Sequence, residues 1–224
     1  MQLTNEVGPA TVAKVAERLG INSELHAVPA LALGASEVTP MDLTSAYAAF
    51  ANNGVGVLPY SILSIRSSDG KTLYRRKGSG VGRVVAAAPE AAMTGMLRET
   101  VVSGTGRQAN LEGHDVAGKT GTSQDYRDAW FVGFTADYVC GVWVGNDDNR
   151  PMNKATGGGL PARIFKFFMS EAETGLPARP LPGSGTLVAS ADAALQGSES
   201  DAQTPEQKKD LLDSFGKLLD SLFN

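Results

Sequence analysis

The chain has 224 residues, 42% of them hydrophobic, so it is long enough to form one domain with a sizeable core. Its formal net charge of −4 argues against nucleic acid as a partner, because proteins that bind nucleic acid present strongly basic surfaces. Cys140 is the only cysteine, which excludes an intrachain disulfide. We find no signal peptide and no run of 18 apolar residues, and therefore expect no segment that spans a membrane.

The first part of the chain predicts helices alternating with short strands. Thr39 is a favourable N-cap residue and Pro40 suits the first position of a helix. Asp69-Gly70, between two runs of β-forming residues, predicts the turn of a hairpin. The predicted helices cover residues 8–19, 40–51 and 89–102, and the predicted strands lie within 57–76 and 81–86.

The residues that suggest a metal or nucleotide site all have a simpler interpretation. His26 lies in a predicted loop, and we expect it to be a surface or core histidine without a metal or catalytic role. His114 and Asp115 would point to opposite faces of a strand, so we expect both at the surface. Adjacent acids such as Asp147-Asp148 are usually solvated. The glycine-rich turn at Ser103–Gly106 matches neither the phosphate-binding loop nor the dinucleotide fingerprint. We therefore expect no metal and no cofactor.

The chemistry of the chain is concentrated in Ala117-Gly118-Lys119-Thr120-Gly121-Thr122, which predicts a strand at the edge of a sheet. Threonine hydroxyls can donate to an anion, and a lysine adds positive charge without fixing its geometry. Glycines allow the backbone of a ligand to come close. The stretch therefore suits a bound carboxylate.

Two strands of large β-forming residues follow, over about 128–135 and 138–146, and predict an antiparallel hairpin. We expect Trp143 to pack in the core and Trp130, which is nearer to the lysine stretch, to be more open. Thr156-Gly157-Gly158-Gly159 forms a loop that either shapes the local backbone or contacts a ligand, and a helix is predicted over about 160–173.

The Lys-Thr-Gly sequence, with Gly104-Thr105-Gly106 before it and Asp128–Gly133 and Val142–Asp147 after it, resembles the C-terminal half of the transpeptidase domain of class A penicillin-binding proteins. The resemblance covers residues 1–174 and implies an α+β fold of the penicillin-binding protein and serine β-lactamase group. In that fold, helices pack against an antiparallel sheet. The implied ligands are the peptidoglycan stem peptide and β-lactams. Lys119 would be catalytic, and Thr120, Gly121, Thr122 and Trp130 would bind substrate.

The same family uses a nucleophilic serine in Ser-x-x-Lys and a second serine in Ser-x-Asn. The match at Ser68-Asp69-Gly70-Lys71 falls in the predicted hairpin turn, whereas the family's serine begins a buried helix, and no Ser-x-Asn triad is present. The sequence is therefore interpreted as the downstream portion of the domain, without its nucleophile, and we expect it to form no acyl-enzyme alone. A non-catalytic interaction module or a truncated gene product is the alternative.

The C-terminal part changes in composition. Residues 175–204 are rich in Pro, Gly, Ser and Ala, which predicts a disordered linker. Residues 205–223 predict an amphipathic helix with a capping box, which could bind its own domain or a protein partner. The resemblance implies a periplasmic parent protein anchored in the inner membrane.

Overall fold

The computed structural model describes residues 1–78 and 80–183. Five α-helices and seven β-strands are defined within these residues. The helices are α1 (Gln2–Val7), α2 (Pro9–Leu19), α3 (Pro40–Ala51), α4 (Ala87–Val102) and α5 (Leu160–Ala172). The strands are β1 (Val55–Val57), β2 (Ser64–Arg66), β3 (Thr72–Arg75), β4 (Gly80–Arg83), β5 (Ala117–Thr122), β6 (Asp128–Phe134) and β7 (Val139–Gly145). Helices and antiparallel sheets together give the α+β class.

The central sheet has the order β5-β6-β7, and both of its strand pairs are antiparallel. β5 is therefore an edge strand of this sheet. In the register, Lys119 lies opposite Val132 and Thr120 lies opposite Phe131. Because directly opposed residues share a face and successive residues alternate, Lys119 and Thr120 lie on opposite faces of the sheet.

A hydrophobic core lies on each face of the sheet. On one face Phe131 packs edge-to-face on Phe165 of α5, with their ring centroids 4.8 Å apart and both side chains fully buried. On the other face Phe134 packs with Leu97 of α4 and with Tyr47 and Phe50 of α3. Burial of Tyr47 raises the pKa of its hydroxyl to about 12. The two cores fix the sheet between α5 and the α3–α4 pair.

Local signals predicted most of the elements before the central sheet. The side chain of Thr39 accepts a hydrogen bond from the Asp42 N–H at 3.1 Å, which is the N-cap that the sequence predicts. Ser68 lies in the turn between β2 and β3, where the Gly70 N–H donates to the Ser67 carbonyl. The hairpin interpretation of Ser68 is therefore confirmed. The pairing of β1 with β4 was not predicted.

After α5 the chain crosses from one face of the sheet to the other. Arg179 forms an ion pair with Asp137 in the β6–β7 turn. Leu181, 2% exposed, then joins the core on the α4 side. The packed part of the chain therefore extends at least to Gly183, past the boundary predicted at residue 174. The rest of the predicted linker and the predicted helix over 205–223 lie outside the described residues.

Within residues 1–78 and 80–183, no helix combines the length and the apolar character needed to cross a bilayer.

Candidate functional site

The Lys-Thr-Gly stretch emerges from the core along β5. Ala117 and Gly118 are buried, Lys119 and Thr122 are exposed, and Thr120 and Gly121 lie between these extremes. The strand is anchored at its first residues by both cores and opens to solvent at its end. Since β5 is also an edge strand, a ligand lying along its open edge can reach side chains from both faces.

Two threonine hydroxyls meet beside this strand. Thr105 Oγ1 and Thr120 Oγ1 are 2.7 Å apart, and one of them donates to the other. Thr105 belongs to the turn that follows α4, so the turn places a second hydroxyl at the strand. In such a pair the accepting hydroxyl keeps its own hydrogen for another partner. We did not expect Thr105 at the site, although its glycine-rich turn was noted in the sequence.

The loop Thr156–Gly159 lies directly on β5. The Gly157 N–H donates to Thr122 Oγ1 at 3.0 Å, which leaves the hydroxyl hydrogen of Thr122 free to donate. A Cβ on Gly157 would come within 2.3 Å of the Trp130 carbonyl and 2.4 Å of the Gly121 carbonyl. A Cβ on Gly158 would come within 2.3 Å of the Thr105 carbonyl. These two glycines thus permit close backbone packing of the loop on β5.

The ammonium group of Lys119 carries an uncompensated charge at the site. Its Nζ donates to the Thr120 carbonyl at 2.8 Å, and among the described residues no carboxylate lies within 4.0 Å of it. An exposed ammonium with a neutral partner keeps two hydrogens for an incoming anion. The end of β5 therefore combines a positive charge on one face with threonine hydroxyls on the other.

Two tryptophans extend the Lys119 face across the sheet. Trp130 lies opposite Gly121 on β5 and opposite Trp143 on β7, and the two rings are 6.3 Å apart. The expectation for Trp143 was wrong, because it is 37% exposed and its Nε1 donates to Asp128 at 3.0 Å. Trp130 is half-buried. Gly121 has no side chain to cover the Trp130 ring, so the aromatic surface begins next to Lys119.

The model of the penicillin-binding protein transpeptidase domain matches residues 1–170. The chain belongs to this family. Penicillin-binding protein 1A of Rickettsia typhi is 34% identical over 214 residues, and that of Aquifex aeolicus is 40% identical over 159 residues. These alignments cover 84% and 70% of the chain but 27% and 22% of the two relatives. The chain therefore spans about a quarter of the length of the curated relatives.

Solved structures of penicillin-binding proteins share this fold. The penicillin-binding protein PonA1 of Mycobacterium tuberculosis aligns with a TM-score of 0.70 at 28% identity, over 78% of this chain and 52% of that one. A complex of PonA1 with penicillin V aligns equally well. Penicillin-binding protein 1A of Haemophilus influenzae aligns with a TM-score of 0.69 at 24% identity, over 81% of this chain and 34% of that one. The chain is thus a transpeptidase-domain fragment with the α+β fold of its relatives.

His114 does not lie at the surface of this fragment, contrary to expectation. Its side chain is 16% exposed, and Nδ1 is 3.6 Å from the buried carboxylate of Glu173. Asp115 is partly exposed and accepts two hydrogen bonds from Arg98, at 3.2 and 3.0 Å. Both residues precede β5, at the end of the strand opposite to Thr122, so they are separate from the candidate site.

The other acids do not form a metal site in the described part of this transpeptidase fragment. Asp148 forms an ion pair with Arg150 in the loop after β7. Residues 1–78 and 80–183 contain no group of three or more His, Cys, Asp or Glu side chains that could hold a metal ion.

The sequence contains a second Ser-x-x-Lys match, Ser214-Phe215-Gly216-Lys217. It lies outside the described residues. The resemblance places the family's serine on the N-terminal side of the Lys-Thr-Gly strand, whereas Ser214 lies on its C-terminal side. The match therefore does not reproduce the family's order of motifs, but it must be included in any search for an acylated serine.

Proposed function

We propose that this fragment supplies the carboxylate-binding strand of a transpeptidase site that cross-links peptidoglycan. Lys119 is the cationic residue of the site, and Thr120, Gly121, Thr122 and Trp130 contact the substrate. The ligand is the terminal carboxylate of a D-Ala-D-Ala stem peptide, or the carboxylate of a β-lactam. The observation that carries the proposal is the exposed ammonium of Lys119, which has no carboxylate partner among the described residues, beside two hydroxyls at the exposed end of an edge strand.

Each side chain would have a separate part in recognition. Lys119 supplies the positive potential that attracts the carboxylate, and the hydroxyls of Thr120 and Thr122 donate to its oxygens. A charge-assisted hydrogen bond of this kind is shorter and stronger than a neutral one. The open edge of β5 can pair with the backbone of an extended peptide, and Gly121 leaves room for that backbone. The Trp130 ring offers an apolar wall on the Lys119 side.

The covalent chemistry would come from a serine that this strand does not carry. In the reaction that the resemblance implies, a serine hydroxyl attacks the D-Ala-D-Ala carbonyl and the terminal D-Ala leaves. An amine of a neighbouring stem peptide then takes the acyl group. A backbone amide near Thr122 would stabilise the oxyanion, and Lys119 would assist the proton transfers. The whole reaction belongs to the periplasmic, membrane-anchored parent that the resemblance implies.

Titration of the purified full chain with a stem peptide ending in D-Ala-D-Ala tests recognition. We expect saturable chemical-shift changes at β5 amides. Thr122→Val and Lys119→Met should each weaken binding by about tenfold or more, because a hydrogen bond to a charged group contributes about 1.5–3 kcal/mol. Thr72→Val on β3 and Lys166→Met on α5 are matched controls, since both residues are exposed and lie on other elements.

Binding that is unchanged in Thr122→Val and Lys119→Met would contradict the assignment of the site. Absence of any binding, with the chain folded, would favour the alternative of a non-catalytic interaction module. That module would act through surfaces other than β5, with the predicted helix over 205–223 as a candidate for contact with a protein partner.

Intact-mass spectrometry after incubation with benzylpenicillin tests for a nucleophile. We expect no covalent adduct, because Ser68 lies in an exposed turn and no described serine begins a buried helix next to Lys119. An adduct of one penicillin per chain would overturn this expectation. Ser68→Ala and Ser214→Ala variants would then identify which of the two Ser-x-x-Lys serines carries it.

A further inference from the structure

The hairpin of β2 and β3 projects a large apolar surface into solvent. We call residues 58–77 the arm. Every residue of both strands is exposed. Leu63, Ile65 and Tyr74 share one face of the hairpin, because Ile65 lies opposite Tyr74 and Leu63 is two residues before Ile65. Seven large hydrophobic residues of the arm are each at least 41% exposed: Leu58, Tyr60, Ile62, Leu63, Ile65, Leu73 and Tyr74. Exposed apolar side chains gathered on one short hairpin favour an interaction site.

The arm is also strongly basic. It contains five Lys or Arg residues and one Asp, a net charge of +4 in a chain whose total is −4. Arg76 lies over the Tyr60 ring, 4.4 Å from its centroid, and this contact holds the aromatic ring against the hairpin. Arg66 and Arg75 lie on the face opposite to Ile65. An occupant of the arm should therefore be both apolar and acidic.

The C-terminal segment of the same chain has this character. Residues 184–224 contain seven Asp or Glu and three Lys, a net charge of −4. Within the predicted helix over 205–223, an apolar stripe is formed by Leu211, Phe215, Leu218 and Leu222. The four acids of this helix lie away from the stripe, mainly on the opposite side of the helix, at Glu206, Asp210, Asp213 and Asp220. The segment therefore combines an apolar stripe with a net charge opposite to that of the arm.

The described chain ends beside α4, the helix that follows the arm and β4 in the sequence. A Cβ on Gly183 would come within 2.7 Å of Ala91 and 2.9 Å of the buried Glu90 carboxylate, both in the first turns of α4. Glu90 Oε1 accepts from Thr94, and burial raises the pKa of the carboxyl group. α4 begins four residues after β4, which follows the arm. The 21 residues from 184 to 204 would span roughly 25 Å on average as a flexible chain, so the predicted helix can reach the arm.

We infer that residues 205–223 dock as an amphipathic helix on the Leu63–Ile65–Tyr74 face of the arm. The apolar stripe covers the hydrophobic side chains, and the opposite net charges of the segment and the arm attract each other without direct ion pairs being required. Tethering raises the effective concentration of the helix at the arm, so a contact too weak to hold two separate molecules suffices within one chain.

The exposed side of α5 is the competing surface. It carries Phe167, which is 82% exposed, and Phe168, but the helix has a net charge of only +1. It also packs on the opposite face of the sheet from α4, where the described chain ends. The larger positive charge of the arm and the position at which the described chain ends therefore both favour the arm as the docking surface.

Hydrogen exchange on the full-length chain, followed by mass spectrometry, tests the inference. We compare wild type with Phe215→Asp in the helix, with Arg66→Glu/Arg75→Glu in the arm, and with Phe167→Asp on α5 as the matched control. We expect amides of residues 64–75 and 205–223 to exchange at least about tenfold faster in the first two variants, and at the wild-type rate in the third. High salt should reduce protection in wild type, because the charges are exposed.

Several outcomes would overturn the inference. Arm exchange that is the same in wild type and Phe215→Asp would show that the helix does not cover the arm. Protection of 205–223 that is lost in Phe167→Asp would place the helix on α5 instead. Protection that rises with protein concentration would indicate a second copy as the occupant, and protection that requires anionic vesicles would indicate a membrane surface. If the arginine variant loosens the hairpin itself, exchange within 205–223 still reports whether docking is lost.

Discussion

Replacing Phe165 by alanine is expected to lower the free energy of unfolding by about 3–5 kcal/mol, the largest effect that we expect of a single substitution. Phe165 is fully buried and packs edge-to-face on Phe131, which is also fully buried. Truncation removes the apolar contacts of one ring and leaves a cavity beneath the sheet that Ala162 and Met169, fixed on the same helix, cannot fill. The loss should appear as a lower urea midpoint with an unchanged slope.

Phe167→Ala is the matched control, because it removes the same side chain from the same helix at a position that is 82% exposed. We expect a change in unfolding free energy within about 0.5 kcal/mol. Equal destabilisation by the two substitutions would contradict the arrangement of α5 on the sheet, since it would mean that Phe167 is packed as closely as Phe165.

Residue-level signals sufficed to predict helices α2 to α5 and the β2–β3 hairpin of this fragment, but not the short helix α1. Thr39 and Pro40 mark the start of α3 because capping is a contact between residues three apart, which is visible in a sequence. Asp69-Gly70 predicts its turn for a similar reason, because a glycine is needed where φ is +84°. The strand character of the Lys-Thr-Gly stretch and its position beside two further strands were likewise predictable from β-forming residues.

The burial predictions for Trp143 and His114 were wrong because contacts between distant elements decide how buried these side chains are. Trp143 was expected in the core because tryptophan is usually buried, but its Nε1 bonds to Asp128 on the neighbouring strand, and the ring stays partly exposed. His114 was expected at the surface, but Glu173 at the end of α5 lies over it. Neither partner is close in sequence, so no local pattern could have identified it.

The residues of the candidate site also divide into those that local sequence identifies and those that only long-range contacts bring to the site. Lys119, Thr120 and Thr122 could be proposed from the sequence because they are consecutive or alternate on one strand. Thr105 and Gly157 reach the same strand from segments 15 and 35 residues away, through hydrogen bonds to Thr120 and Thr122. The glycine-rich turns that allow these approaches can be recognised in the sequence. The strand that each turn contacts cannot.

Gly157→Ala is expected to lower the free energy of unfolding by about 3 kcal/mol and to detach the loop from β5. The new Cβ would lie 2.3 Å from the Trp130 carbonyl and 2.4 Å from the Gly121 carbonyl. Both are backbone atoms held in the β5–β6 ladder, so the loop rather than the sheet must move. That movement breaks the hydrogen bond from the Gly157 N–H to Thr122, which we propose to be a ligand-binding residue. The variant should therefore also lose affinity for the stem peptide.

Gly80→Ala on β4 separates this steric effect from the general consequences of replacing a glycine. Within the described part of the chain, its Cβ would meet nothing closer than the Gly56 carbonyl at 3.6 Å, an ordinary contact. We expect its urea midpoint to stay near that of wild type, while Gly157→Ala unfolds at a clearly lower concentration and exchanges its β5 amides faster. If the two alanine variants unfold alike, the close approach of the glycine loop to β5 is wrong, and Thr122 must be positioned by some other contact.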